Sequence, residues 1–116
     1  MCHVLIIEDE WLIAEYLTDL AERAGATSVA TACTEAEAVQ AAHEQVPGII
    51  LSDVNLLAGT GPRAVQTITS ELGEIPVIFI TGTPEACQPC APPGVILNKP
   101  IDPACVMETF KRFAPA

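Results

Sequence analysis

Acidic side chains and a lysine follow the most apolar segments of this 116-residue chain. Glu8 and Asp9 come directly after HVLII, Asp53 ends IILSD, and Lys99 follows VILN. If the chain brings the three carboxylates together, each pair repels by roughly 3 kcal/mol at ~5 Å and an effective dielectric of about 20. We therefore expect a cation at the place where they meet.

The residue types around these acids favour magnesium and phosphorus chemistry. Oxygen ligands with room for water suit Mg²⁺, which binds through one or two carboxylates and shares its shell with phosphate. Asp53 next to such an ion and to Lys99 is suited to attack phosphorus, because both cations offset charge on the transferring group. Thr81, at the end of VIFIT, can donate its hydroxyl to a phosphoryl oxygen.

Apolar runs alternate with helical periodicity along the chain and must position these residues. The predicted strands are His3–Ile7, Ser28–Ala32, 49–53, Val77–Thr81 and 95–97. The predicted helices are 11–24, 34–45, 62–72 and a last helix that begins after Asp102. A capping box of Thr34 and Glu37 opens the second helix. Asp102 caps the last helix, which has Val106, Phe110 and Phe113 along one side. Strands that are apolar on both faces imply a doubly wound α/β domain, a five-stranded parallel sheet with helices on both faces. Its ligands bind at the carboxyl ends of the strands.

Length and charge limit the number of domains and the classes of binding partner. The chain suits one domain, 1–116, and its core must be aliphatic because it has one Trp, one Tyr and three Phe. Fifteen acidic against five basic residues give a net charge of -10, which repels nucleic acid and anionic lipid. No apolar run approaches the ~20 residues that span a bilayer. We expect a cytoplasmic protein that binds neither nucleic acid nor membrane.

The segments LIIEDE, ILSDVN, PVIFITG and NKP, in this order and spacing, resemble the receiver domain of bacterial two-component response regulators. The resemblance covers nearly the whole chain and implies the flavodoxin-like strand order 2-1-3-4-5. It implies that Mg²⁺ is held by Glu8, Asp9, Asp53 and the backbone carbonyl of Asn55. It also implies that Asp53 is the phosphoacceptor, Thr81 the switch hydroxyl, and Lys99, before a usually cis Pro100, the contact to phosphate.

Four residues depart from the patterns of the family and its subgroup. Leu57 stands where receivers usually have proline, and Ile96 stands where an aromatic residue commonly couples to the switch threonine. FITG is similar to the Phe-x-Thr-Gly signature of an atypical receiver subgroup, but Thr83 and Pro84 depart from that subgroup's aromatic ending. We therefore expect a looser loop after Asp53. We also expect that the phosphorylation signal is not transmitted by an aromatic side chain at position 96.

Four prolines lie between Thr81 and Lys99, at positions 84, 89, 92 and 93. A proline inside a helix costs ~3 kcal/mol and disfavours helical backbone at the preceding residue. The fourth helix that receivers usually carry here is therefore predicted to be missing or reduced to about one turn near 85–88. The usual partner surface would change with it.

The cysteines are predicted to be reduced, because five at irregular spacing do not form a disulfide framework. Cys87 and Cys90 make one CxxC, which is typical of a redox pair or half of a zinc site. The surrounding prolines and the lack of fitting further ligands favour incidental loop cysteines.

The resemblance implies a stand-alone receiver without an output domain, which is a phosphoacceptor and not an enzyme. A histidine kinase or histidine phosphotransferase would phosphorylate Asp53 in a Mg²⁺-dependent reaction. The output would be contact with a downstream protein or storage of phosphate in a phosphorelay. Two alternatives remain open: a degenerate receiver that acts only by protein interaction, and a small aspartyl-phosphate phosphatase.

Overall fold

The computed structural model of the chain describes residues 2–56, 58–83 and 94–115. Within them, the strands are β1 His3–Ile7, β2 Ser28–Ala32, β3 Ile49–Ser52, β4 Val77–Thr81 and β5 Gly94–Asn98. The helices are α1 Trp11–Arg23, α2 Glu35–Glu44, α3 Gly61–Leu72 and α4 Pro103–Phe113. The predicted elements are thus present, with ends that differ by one or two residues. The predicted helical turn near 85–88 lies outside the described residues.

All five strands pair in parallel, in the order β2-β1-β3-β4-β5. This confirms the predicted doubly wound sheet. The order reverses at β1, because β2 and β3 lie on opposite sides of it. The carboxyl ends of β1, β3, β4 and β5 therefore lie at one edge of the sheet, where the polar segments that follow them come together.

Aliphatic side chains fill both faces of the sheet. One core lies under α2 and α3 and contains Ile7, Ile50 and Phe79 from the strands. The other lies under α1 and α4 and contains Ile6, Leu51 and Ile80, with Phe110 from α4. Successive strand residues point to opposite cores, so the continuous apolar runs are explained by burial on both sides. Such a sheet forms a fixed base for the site.

Side-chain caps define where α2, α3 and α4 begin, and Thr60 caps α3 by accepting from the Arg63 amide at 3.2 Å. Thr34 accepts a hydrogen bond from the Glu37 amide at 3.1 Å, as predicted, but the Glu37 carboxylate accepts from the Cys33 amide at 3.0 Å, one residue before the cap. Asp102 accepts from the amides of the first turn of α4. Val106 and Phe110 are buried, whereas Phe113, at the end of α4, is 39% exposed.

None of the helices in the described part of the chain combines the length and the apolar character that a bilayer span needs.

Candidate functional site

The acidic residues meet because β1 and β3 are neighbours and end at the same level. Ile7 is paired with Ser52, and the Asp53 amide donates to the Ile7 carbonyl at 2.8 Å. Glu8, Asp9 and Asp53 each place a carboxylate oxygen within 4.8 Å of the others. The structure therefore brings together the three carboxylates that the sequence patterns indicated.

Glu8 is the most buried of the three, with 2% of its surface exposed. Burial, and then the charge of Asp53, raise the pKa of Glu8 from its ordinary 4.5 to about 7. Its Oε2 accepts a hydrogen bond from the Glu10 amide at 3.3 Å. A carboxyl group in this setting needs either a proton or a nearby cation to be stable.

Lys99 supplies a positive charge from the far side of the site. It follows β5, and its amide donates to the Thr81 carbonyl at 2.9 Å. Its Nζ lies 3.3 Å from Asp53 Oδ2 and 3.5 Å from Glu8 Oε1. Burial by itself would lower the pKa of Lys99, but Glu8 and Asp53 outweigh that effect and raise it. The peptide bond to Pro100 is cis, as the resemblance implies.

The backbone around Asp53 holds its carboxylate in place. Asp53 Oδ1 accepts from the Val54 amide at 2.7 Å, so one oxygen is fixed and Oδ2 faces Lys99. The buried Ser52 hydroxyl donates to the Asp53 carbonyl at 2.7 Å. A Cβ on Gly61 would overlap both that carbonyl and the Ser52 hydroxyl, so the first residue of α3 packs directly on the aspartate backbone.

Thr81 and Asn55 are joined through Thr83. Thr81 is buried at the end of β4, and its Oγ1 accepts from the Thr83 amide at 3.0 Å. The two threonine hydroxyls lie 3.3 Å apart, and Asn55 Nδ2 donates to Thr83 Oγ1 at 3.0 Å. The sequence patterns assigned a role only to the Asn55 backbone and did not indicate Ser52. In the sequence patterns, Thr83 was only a departure from the subgroup signature. The amide of a residue two positions after a threonine nevertheless commonly donates to the threonine hydroxyl.

The donor set fits a hard divalent cation. The carboxylate oxygens of Glu8, Asp9 and Asp53 lie close enough to share one ion. Oxygen ligands of this kind are those that Mg²⁺ uses in phosphoryl-transfer sites, and among the described residues no thiol or imidazole belongs to the cluster. Lys99 offsets only part of the negative charge, which leaves the site able to attract a cation.

Cys87 and Cys90 lie outside the described residues. Cys2, Cys33 and Cys105 carry free thiols.

Comparison with known proteins agrees with this geometry. Residues 4–111 match the family model described as the response regulator receiver domain. The chain is 42% identical over 113 residues to the phyllosphere-induced regulator PhyR of Methylorubrum extorquens, covering 94% of this chain and 42% of that protein. The solution structure of the Erythrobacter litoralis PhyR receiver domain superimposes with a TM-score of 0.85 at 34% identity and covers 99% of this chain and 93% of that one. The crystal structure of the anti-anti-sigma factor PhyR from Bartonella quintana gives 0.79 at 36% identity, covering 96% and 46%.

Proposed function

The chain belongs to the response regulator receiver domain family, and it is PhyR-like; we propose that it accepts a phosphoryl group on Asp53 in a Mg²⁺-dependent reaction. One observation carries this proposal: Lys99 Nζ lies 3.3 Å from Asp53 Oδ2 within the acidic cluster. A nucleophilic carboxylate, a cation-binding cluster and a mobile ammonium are the parts that phosphoryl transfer to an aspartate requires.

The residues divide the work of the transfer. A carboxylate oxygen of Asp53 attacks the phosphorus of a phosphohistidine, the P–N bond breaks, and the imidazole leaves with the electron pair. The Val54 amide fixes the orientation of the Asp53 carboxylate. The Lys99 ammonium then changes its partner from the Asp53 carboxylate to the phosphoryl oxygens. Thr81 donates its hydroxyl to one of these oxygens. This is a self-modification and not turnover of a substrate, so we place the protein among phosphoacceptors.

Glu8, Asp9, Asp53 and the Asn55 carbonyl would hold the metal. When bound, Mg²⁺ supplies positive charge that offsets the charge on the transferring group.

The experiment is phosphorylation by acetyl phosphate, followed by intact-protein mass spectrometry with Mg²⁺ or with EDTA. We expect one added phosphoryl group per chain in Mg²⁺ and none in EDTA. Asp53→Asn should abolish it, because the amide is a poor nucleophile. Asp19→Asn is the matched control, because that aspartate lies on α1 in an exposed pair with Arg23. Uptake by the Asp53→Asn variant would contradict the proposal, and no uptake by the wild type would favour a degenerate receiver.

The partners belong to the same proposal. The chain spans 42% of the length of its PhyR relative, so more than half of that relative lies outside the matched region. We propose a histidine kinase or histidine phosphotransferase as the phosphodonor. A downstream protein that distinguishes the two phosphorylation states would then receive the signal.

A further inference from the structure

A chain of hydrogen bonds links the end of β4 to the loop that follows Asp53. Thr83 is its centre: its amide donates to Thr81 Oγ1 at 3.0 Å, and its own hydroxyl lies 3.3 Å from that oxygen. The same Thr83 hydroxyl accepts from Asn55 Nδ2 at 3.0 Å. Thr83 therefore contacts residues on both sides of the proposed phosphorylation site without being part of the acidic cluster.

These contacts fix the side chain of Thr81. Threonine is branched at Cβ and has few χ1 rotamers, so Thr81 Oγ1 cannot turn far without leaving Thr83. Thr81 is 1% exposed, which leaves little water to replace a bond that is lost. Asn55 holds the Thr83 hydroxyl in turn, and this limits the freedom of the partner.

We infer that Thr83 is a positioning residue that holds the Thr81 hydroxyl in the unphosphorylated protein and competes with the phosphoryl oxygens for it. This inference rests on the proposed phosphorylation of Asp53. An interaction shifts a two-state equilibrium only by the difference in its strength between the states. The bond between the threonine hydroxyls belongs to the unphosphorylated state, so it opposes the movement of Thr81 toward the phosphoryl group.

The first test compares Thr83→Val with Thr83→Ser, using beryllium fluoride as a stable phosphoryl mimic in the presence of Mg²⁺. Valine keeps the shape and the amide of Thr83 but lacks its hydroxyl. We expect Thr83→Val to bind the mimic about three- to tenfold more tightly, the equivalent of one hydrogen bond. Thr83→Ser retains the hydroxyl and should bind like the wild type. Unchanged or weaker binding by Thr83→Val would overturn the inference.

A double-mutant cycle with Thr81→Val tests whether Thr83 acts through Thr81. If it does, Thr83→Val has no effect in the Thr81→Val background, because the competition no longer exists. An equal gain in both backgrounds would overturn the inference. Thr83→Ala provides a second variant without the hydroxyl, and circular dichroism checks that each variant folds.

Magnesium affinity separates this role from a general loosening of the loop. Titration of Mg²⁺ alone should give the same Kd for Thr83→Val and the wild type, because Thr83 does not belong to the acidic cluster. A parallel shift in the Mg²⁺ Kd would mean that Thr83 acts through Asn55 on the metal site, and would overturn the inference. If the wild type binds Mg²⁺ but not the mimic, the proposed function fails as well; if it binds both and Thr83→Val is unchanged, only the inference fails.

Discussion

Glu8 is an acid placed where an ionised carboxylate is costly. It directly follows β1, in which Val4 to Ile7 are buried, it faces Asp53, and its Oε1 lies 3.5 Å from Lys99 Nζ. Its pKa of about 7 means that near neutral pH the protein holds the group either as a neutral acid or as a ligand beside positive charge. A proton and a metal ion would therefore compete for the same carboxylate.

We predict that the metal-free protein loses stability as the pH rises from about 4.5 to about 7. The folded Glu8 has a pKa of about 7 against an ordinary 4.5, so in this window the folded state binds more protons than the unfolded state. Its contribution to the free energy of unfolding is fully present below the unfolded pKa and is lost as the pH rises through the folded pKa. The slope is at most about 1.4 kcal/mol for each pH unit. Urea unfolding in EDTA across this range measures it.

Glu8→Gln should flatten that slope, because glutamine resembles the neutral acid and does not titrate. Glu22→Gln, on the exposed side of α1, is the control and should keep the slope of the wild type. A Glu8→Gln variant with an undiminished slope would show that another group causes the pH dependence.

Sequence patterns located the acids and the lysine because each follows a strand, and the carboxyl ends of parallel strands share an edge. They did not locate Thr83: its bonds to Thr81 are local and follow a common pattern, but its bond to Asn55 joins residues 28 positions apart and depends on how the segments after β3 and β4 meet. Likewise, the capping box at Thr34 was predictable, but the bond from Glu37 to the Cys33 amide depends on how the chain enters α2.

Among the elements, the loop between β3 and α3 is held at several points. Glu35, the first residue of α2, accepts from the Thr60 amide at 3.3 Å and donates from its own amide to the Ala58 carbonyl at 3.1 Å. Gly59 adopts φ +84 and packs on Glu35, where a Cβ would overlap its side chain. The loop after Asp53 was expected to be looser because Leu57 replaces proline; Leu57 lies outside the described residues, but the loop that follows it is bound to α2.

We predict that Gly61→Ala destabilises the protein by about 1–3 kcal/mol, the usual cost of overpacking. The added Cβ would overlap the backbone carbonyl of Asp53 and the side-chain hydroxyl of Ser52, which pack directly against the start of α3. Because relief of the overlap must move Asp53, phosphoryl uptake should fall together with the melting temperature. Thermal unfolding and acetyl phosphate labelling measure the two effects.

Gly82→Ala is the matched control, because a Cβ there meets none of the described residues within 4 Å. It should change neither the melting temperature nor the labelling of Asp53 by much. Equal effects of the two substitutions would show that the close approach of α3 to Asp53 does not matter.

The burial of both sheet faces was predictable from the residues, whereas the strand order was predicted from the family resemblance. Segments such as VIFI in β4 are apolar at every position, and a strand can bury every position only in a sheet covered on both sides. The end of α4 was less predictable, since Phe113 matches the helical spacing of Phe110 but lies 39% exposed at the last turn. Periodicity describes which side of a helix a residue occupies, and not how far the neighbouring layer extends.

As a whole, the molecule combines an aliphatic core with a site that carries excess negative charge. Its net charge is -10, and within the acidic cluster Lys99 faces both Glu8 and Asp53. Bringing the carboxylates together costs free energy that a cation can offset. Binding of a metal ion at this cluster would therefore be coupled to folding.

We predict that Mg²⁺ stabilises the protein by about 2.7 kcal/mol at a hundredfold excess over its Kd, because an ion that binds only the folded state acts by mass action. Asp9→Ala should remove most of this effect, since it deletes one carboxylate of the cluster. Thermal unfolding at increasing Mg²⁺ measures it, with Asp19→Asn as a control that keeps the response. A melting temperature that does not respond to millimolar Mg²⁺ would contradict the assignment of the metal site.

The ion pair between Asp53 and Lys99 joins residues 46 positions apart in the chain. During synthesis, the ribosome makes Glu8, Asp9 and Asp53 long before it makes Lys99. A nascent chain therefore carries the acids for a time without the lysine that faces them, and it cannot assemble the site until Lys99 has been translated. Competence for the proposed phosphoryl transfer would appear only after this step, and a nascent chain that ends before Lys99 would not draw phosphate away from finished molecules.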